Sequence, residues 1–118
     1  MFAFECLDVY QKVKIFNKAI LDLLDKIELK HYVKDQLARA ALSIRLNIAE
    51  GSSRVTKRDK SRFLVIARGS AFECASLLDF LNEDGLITEI EFQEFYLNPE
   101  EISKMLFALI KKLKQERE

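Results

Sequence analysis

Residues 43–73 read SIRLNIAEGSSRVTKRDKSRFLVIARGSAFE, and this stretch decides the fold. Its first part carries apolar residues at helical spacing, Ile44 and Ile48, up to Gly51. From Phe63 the helical spacing resumes, after a cluster of bases. Two amphipathic helices separated by so short a turn pack side by side in opposite directions, so the stretch predicts a helical hairpin.

Working outward, a helix over residues 32–50 buries Val33, Leu37, Ala41, Ile44 and Ile48, and Gly51 stands where a left-handed C′ glycine would end it. Thr56 followed by Asp59 predicts the start of the next helix, which runs to about residue 84. Its expected inner face is Phe63, Ala67, Ser70, Cys74, Leu77 and Leu81, and Gly85 ends it. Upstream, Val13, Phe16, Ile20, Leu23 and Ile27 step by three and four, predicting a helix over residues 8–26 with Asp8 as its N-cap. Downstream, Thr88 with Glu91 caps a fourth helix along Ile102, Met105, Leu106, Leu109 and Leu113. The sequence NPEE at 98–101 is a second helix-start signal, so this helix is expected to kink or break at Asn98–Pro99. Four helices and short loops predict an all-α, antiparallel up-down-up-down four-helix bundle filling residues 1–118 as one domain.

Composition agrees. Three Gly and one Pro in 118 residues leave little turn chemistry for a sheet, and 49% apolar with 32% charged residues excludes a disordered body. Lone Cys6 and Cys74, a start (MFAFECLDVYQK) without a leader pattern and no membrane-length apolar run set the expectation of a soluble, cytoplasmic protein with no membrane contact. No Gly-rich phosphate loop, nucleophile elbow or Cys/His cluster is present, and the single Glu-x-x-His, Glu28 to His31, falls at a helix junction. No catalytic residue, metal ligand or cofactor is therefore expected, and the chain reads as a non-enzyme.

Apolar residues exceed what one bundle needs. The third helix adds Leu64, Val65, Phe72 and Leu78 outside its expected face, and the fourth carries Phe92, Phe95, Tyr96 and Leu97. Such a surplus either thickens the monomer core or is covered by another copy, and a symmetric homo-oligomer is the expectation adopted.

A polar seam runs beside the stripe of the second helix. Gln36, Ala40, Ser43, Asn47 and Glu50 lie four, three, four and three residues apart, facing Ser70 and Glu73 across the hairpin. Three readings stand: a hydrogen-bonded register device among Ser43, Asn47, Glu50, Ser70 and Glu73; a Glu50 pair with an arginine such as Arg54 or Arg68; or carboxylate chemistry. Gly69, in mid-helix, costs about 1 kcal/mol relative to Ala and so suggests a close backbone approach or a site needing space there.

The neutral total hides a charge asymmetry. Residues 39–72 carry eight cations against two carboxylates, whereas residues 73–118 carry five against eleven. Arg54, Lys57, Arg58, Lys60 and Arg62 bracket the central turn, with Arg45 and Arg68 about two turns away. Cations near a helix N-terminus oppose its dipole, so the cluster points to an anionic partner, RNA or DNA, bound through its backbone. The competing reading is a solvated face paired with acidic residues of the fourth helix.

The two blocks, Ser43-Ile44 with Asn47-Ile48-Ala49-Glu50-Gly51 and Arg62-Phe63-Leu64 with Ile66-Ala67 and Gly69-Ser70 through Glu73, resemble the four-helix bundle family encoded by intervening sequences in bacterial 23S rRNA genes, also labelled S23 ribosomal protein. The resemblance reaches from LDVYQK near the start to KMLFALIKKL near the end, with NPEE as a departure. It implies a closed up-down bundle assembled as a five-fold ring, with no known catalysis. Relatives include the accessory protein of diversity-generating retroelements, thought to bind nucleic acid and a reverse transcriptase. A protein partner held through the third or fourth helix, without nucleic acid, is the alternative.

Overall fold

The computed structural model describes residues 1–117. A short 3-10 turn, Ala3–Cys6, leads into α1 (Asp8–Lys26), α2 (His31–Ser52), α3 (Lys57–Glu83) and α4 (Glu89–Arg117). Each helix packs on its neighbour in sequence and α1 closes against α4, while the diagonal pairs stay apart. The result is an up-down-up-down bundle of 47 × 24 × 22 Å.

The helices form because each presents an apolar stripe to the shared core. Val13, Phe16 and Ile20 of α1 meet Leu37, Ile44 and Ile48 of α2, Ala67, Cys74, Leu78 and Leu81 of α3, and Ile102 and Leu106 of α4. Burying each large apolar side chain contributes about 1.5–3 kcal/mol. On α3 the buried stripe is Leu64, Ala67, Ala71, Cys74, Leu78 and Leu81. Ala67, Cys74 and Leu81 are buried as expected, but Leu64, Ala71 and Leu78 take the places expected for Phe63, Ser70 and Leu77, which are left half-buried at the α2 edge.

The ends follow local chemistry. Thr56 Oγ1 accepts from Asp59 N at 3.1 Å, starting α3 as expected. At α4 the capping box is complete: Thr88 N donates to Glu91 Oε1 at 2.8 Å and Glu91 N to Thr88 Oγ1 at 3.0 Å. Gly85, with φ +71°, supplies the left-handed turn after α3.

Three expected ends change. Leu7, not Asp8, caps α1, and Asp8 is the first helical residue, where its charge still favours the dipole. Gly51 is not a left-handed terminus. It lies within α2, which continues to Ser52 because Ser53 N and Arg54 N extend the hydrogen bonding to the Glu50 and Gly51 carbonyls. Its missing side chain serves packing instead, since a Cβ there would stand 3.0 Å from Phe63 Cβ and 3.2 Å from the Lys60 carbonyl. Finally, α4 runs without a break through Asn98–Pro99. Pro99 removes one helical donor, but its ring is fully buried, so packing holds the helix where the local signal would restart it.

Candidate nucleic-acid interface

The α2–α3 hairpin positions both features singled out in the sequence, the polar seam and the basic turn. The seam resolves into three separate contacts. Ser70 Oγ donates to Ser43 Oγ at 2.9 Å, and Asn47 Nδ2 donates to the Ser43 carbonyl at 2.9 Å and to its Oγ at 3.0 Å. One helical stretch away, Gln36 Nε2 donates to Glu73 Oε2 at 2.7 Å. Glu50 joins neither group; its carboxylate pairs with Arg54 in the turn. Ser43, Asn47 and Ser70 thus meet one another, while Glu50 and Glu73 do not meet.

Gly69 has no close approach within the chain, since a Cβ there would find nothing within 4 Å. No group of three or more His, Cys, Asp or Glu side chains among the described residues converges as a metal site. Burial, with the Glu73 charge as a lesser cause, pushes the Cys74 thiol up to about 12.

The seven basic residues divide by what they touch. Arg45 donates to Tyr10 Oη at 2.8 Å and lies over its ring. Arg68 donates to the Ser103 carbonyl at 3.3 Å, with its guanidinium between Phe72 and Phe107. Arg54 stacks on Phe63, 4.5 Å from the ring centre, while bonding Glu50. Lys60 Nζ donates to the Ser52 carbonyl at 3.2 Å, a cation at the negative end of α2. These four hold helices to one another. Lys57, Arg58 and Arg62 stand exposed on the first turns of α3, with Lys57 sharing its charge with Glu116 at 3.5 Å and Arg62 lying over the Phe63 ring at 5.6 Å from its centre.

That last pair shows what the sequence alone did not disclose. Between residues 73 and 103 there are nine carboxylates and no cation, so the cations of the last third begin at Lys104. The antiparallel course of α4 brings exposed Lys111, Lys112 and Lys114 to the same end of the bundle as the start of α3. There Lys60, Lys112 and Glu116 rim an apolar recess of about 240 Å³ floored by Leu7, Ile48, Leu64 and Leu113. The opposite end carries Asp79, Glu83, Asp84, Glu89, Glu91 and Glu94, so the molecule is polarised along its length. The signal lay in KKLKQER, read together with the up-down topology.

The family model of the 23S rRNA-intervening sequence protein matches residues 5–108. The chain belongs to this family. A crystal structure of a protein with unknown function from the S23 ribosomal protein family of Bacteroides thetaiotaomicron VPI-5482 superposes on it with a TM-score of 0.80. The two are 28% identical over 87% of this chain and 98% of that one. No curated protein matches the sequence. The matched range of this 23S rRNA-intervening sequence protein takes in the whole α2–α3 hairpin, and the bundle is shared with that crystal structure. No described helix is long and apolar enough to cross a membrane.

Proposed function

We propose that this protein is a non-enzymatic accessory factor that works as a homo-oligomer and binds the phosphate backbone of RNA or DNA with its basic end. The observation that carries the reading is the common end of the bundle shared by exposed Lys57, Arg58 and Arg62 on α3 and Lys111, Lys112 and Lys114 on α4, two tracts separated in sequence by an acidic half-helix on either side of the α3–α4 turn. Exposed cations gathered on one surface release counterions from nucleic acid, which supplies affinity without base readout. Repetition of this end in an oligomer, a five-membered ring by the family's expectation, multiplies weak contacts by raising effective concentration.

Fluorescence anisotropy with a labelled single-stranded RNA and a duplex DNA of the same sequence tests the reading. Affinity is expected to fall linearly on a log–log salt plot, and Arg58→Glu with Arg62→Glu and Lys114→Glu to abolish it while the helical spectrum stays intact. Affinity indifferent to salt and to these reversals overturns the assignment.

A second reading, an adaptor for a protein partner, draws support from half-exposed Phe72 and Phe107 on the outer face of α3 and α4. Co-purification of a different polypeptide that disappears with Phe107→Ser would favour it.

A further inference from the structure

Two outer faces of the bundle leave apolar side chains uncovered, and the helix order places them on opposite sides. On the α3–α4 side, Val65, Gly69 and Phe72 share one stripe of α3, and Phe107 lies beside them on α4. Val65, Phe72 and Phe107 are 53%, 55% and 50% exposed. Gly69 lies near the middle of a 27-residue helix, where glycine weakens the helix, yet nothing in its own chain requires the missing side chain. The open space beside it would admit a second backbone passing close outside the chain.

The α1–α2 side is the complement. A recess of about 190 Å³ opens between the two helices, floored by Ile20 and Ala41 and flanked by Leu21 and Leu42, which are 55% and 48% exposed. For comparison, a protein cavity of about 150 Å³ accepts a benzene ring. Asn17 lines the recess and is 8% exposed. Its Nδ2 donates to the Ala41 carbonyl at 2.7 Å, but its buried Oδ1 has no donor. Rim charges are opposite: Arg39 borders the recess and Glu100 borders Phe72, and neither has an ion-pair partner among the described residues.

One side therefore projects rings beside a glycine and a carboxylate; the other offers an apolar recess beside a guanidinium. Pairing like with like leaves the recess open and sets equal charges together. We infer that the α3–α4 face of one copy docks on the α1–α2 face of the next, with Phe72 entering the recess and Gly69 admitting the neighbouring backbone. A contact between unlike faces repeats head to tail and closes into a ring when its rotation allows. The inference rests on the self-association reading and names its interface.

Two variants test it by complementation. Gly69→Arg with Phe72→Glu spoils only the projecting face, and Leu21→Glu with Leu42→Glu spoils only the recess. In light scattering at micromolar concentration each alone is expected at 13.7 kDa with its helical spectrum retained. Mixed, they are expected to stop at a heterodimer of about 27 kDa, twice the 13.7 kDa chain, since one good face of each kind remains. A mixture that stays at 13.7 kDa, or variants that keep the wild-type mass, overturns the interface. Wild type at 13.7 kDa overturns self-association itself, a separate result. If a charged variant loses its fold, Phe72→Ser and Leu42→Ser at these half-exposed positions are expected each to weaken assembly at least tenfold, and no shift with either counts against the interface.

Discussion

Lys57, on the first turn of α3, lies 3.5 Å from Glu116 on the last turns of α4. That pairing joins the sequence's basic turn to a second set of lysines and makes one end of the bundle positive. It also costs the cluster part of its charge, since Glu116 sits among the cations. The α4 lysines are thus expected to share in ligand binding with the turn.

Replacing Lys111 and Lys114 by Ala is expected to lower nucleic-acid affinity and to flatten the salt dependence by about 0.9 for each duplex phosphate no longer neutralised. Glu116→Gln is expected to act the other way, raising affinity at low salt because Lys57 loses its partner. Anisotropy titrations over a salt series check both. No change in slope for the lysine variant would confine the interface to α3.

Gly51 and Gly85 are both required, for different reasons that substitution separates. A Cβ at Gly51 meets Phe63 Cβ at 3.0 Å, backbone-anchored on a facing helix, so Gly51→Ala is expected to destabilise by about 1–3 kcal/mol. Gly85→Ala has open space but forces a left-handed φ of +71° on a side chain, at about 1–2 kcal/mol. Asn tolerates that conformation, so Gly85→Asn should recover stability relative to Ala, whereas Gly51→Asn should be worse than Gly51→Ala. Urea unfolding of the four variants gives the comparison.

The contrast between these glycines shows where the sequence was legible. Helix count, order and the stripes of α1 and α2 could be read because spacing alone specifies which face is buried. On α3 the spacing marks Ala67, Cys74 and Leu81 correctly but not the edge of the stripe, because that helix is apolar nearly all round and only packing against two neighbours selects Leu64 over Phe63. Gly51 and Pro99 carried local stop and start signals that tertiary packing overrode. At the candidate site, the Glu50–Arg54 pair is one of the readings the sequence offers, at i,i+4 spacing, but nothing in the sequence separates Arg45 and Arg68 from Arg58 and Arg62. The partners of Arg45 and Arg68 on other helices lie at separations that spacing does not encode. The α4 lysines were hidden by averaging charge over a segment whose two halves differ in sign.

Cys74 gives a pH signature. Its folded thiol is pushed up to about 12 by burial, with a smaller effect from Glu73, whereas an unfolded cysteine ionises near about 8.5. A raised folded value means the contribution to stability is fully present below the unfolded value. It declines as pH rises from there toward the folded one, because only the unfolded chain releases the proton. Wild type is therefore expected to lose stability relative to Cys74→Ala between about pH 9 and 11, by up to about tenfold in the folding equilibrium per unit. In the native protein a thiol reagent at about pH 8, near the ordinary thiol range, should label exposed Cys6 and spare Cys74. Equal labelling of both thiols would contradict the burial.

Arg54 separates architecture from ligand binding. It lies in the basic turn, yet its guanidinium is stacked on Phe63 and bonded to Glu50, tying the end of α2 to the start of α3. The pair is partly exposed, so water screens it, and Arg54→Gln is expected to cost only about 1 kcal/mol of stability. Glu50→Gln should cost a similar amount, and the double variant less than the two together, because each single change removes the same interaction. Arg58, by contrast, has no ion-pair or ring partner among the described residues. Arg58→Gln is expected to leave stability within about 0.5 kcal/mol and to weaken nucleic-acid binding, since a surface cation away from packing contributes little to folding. Measured on fully folded protein, Arg54→Gln should bind nearly as wild type does. The reverse pattern, in which Arg54 governs affinity and Arg58 does not, would place the ligand on the polar seam and not on the basic end.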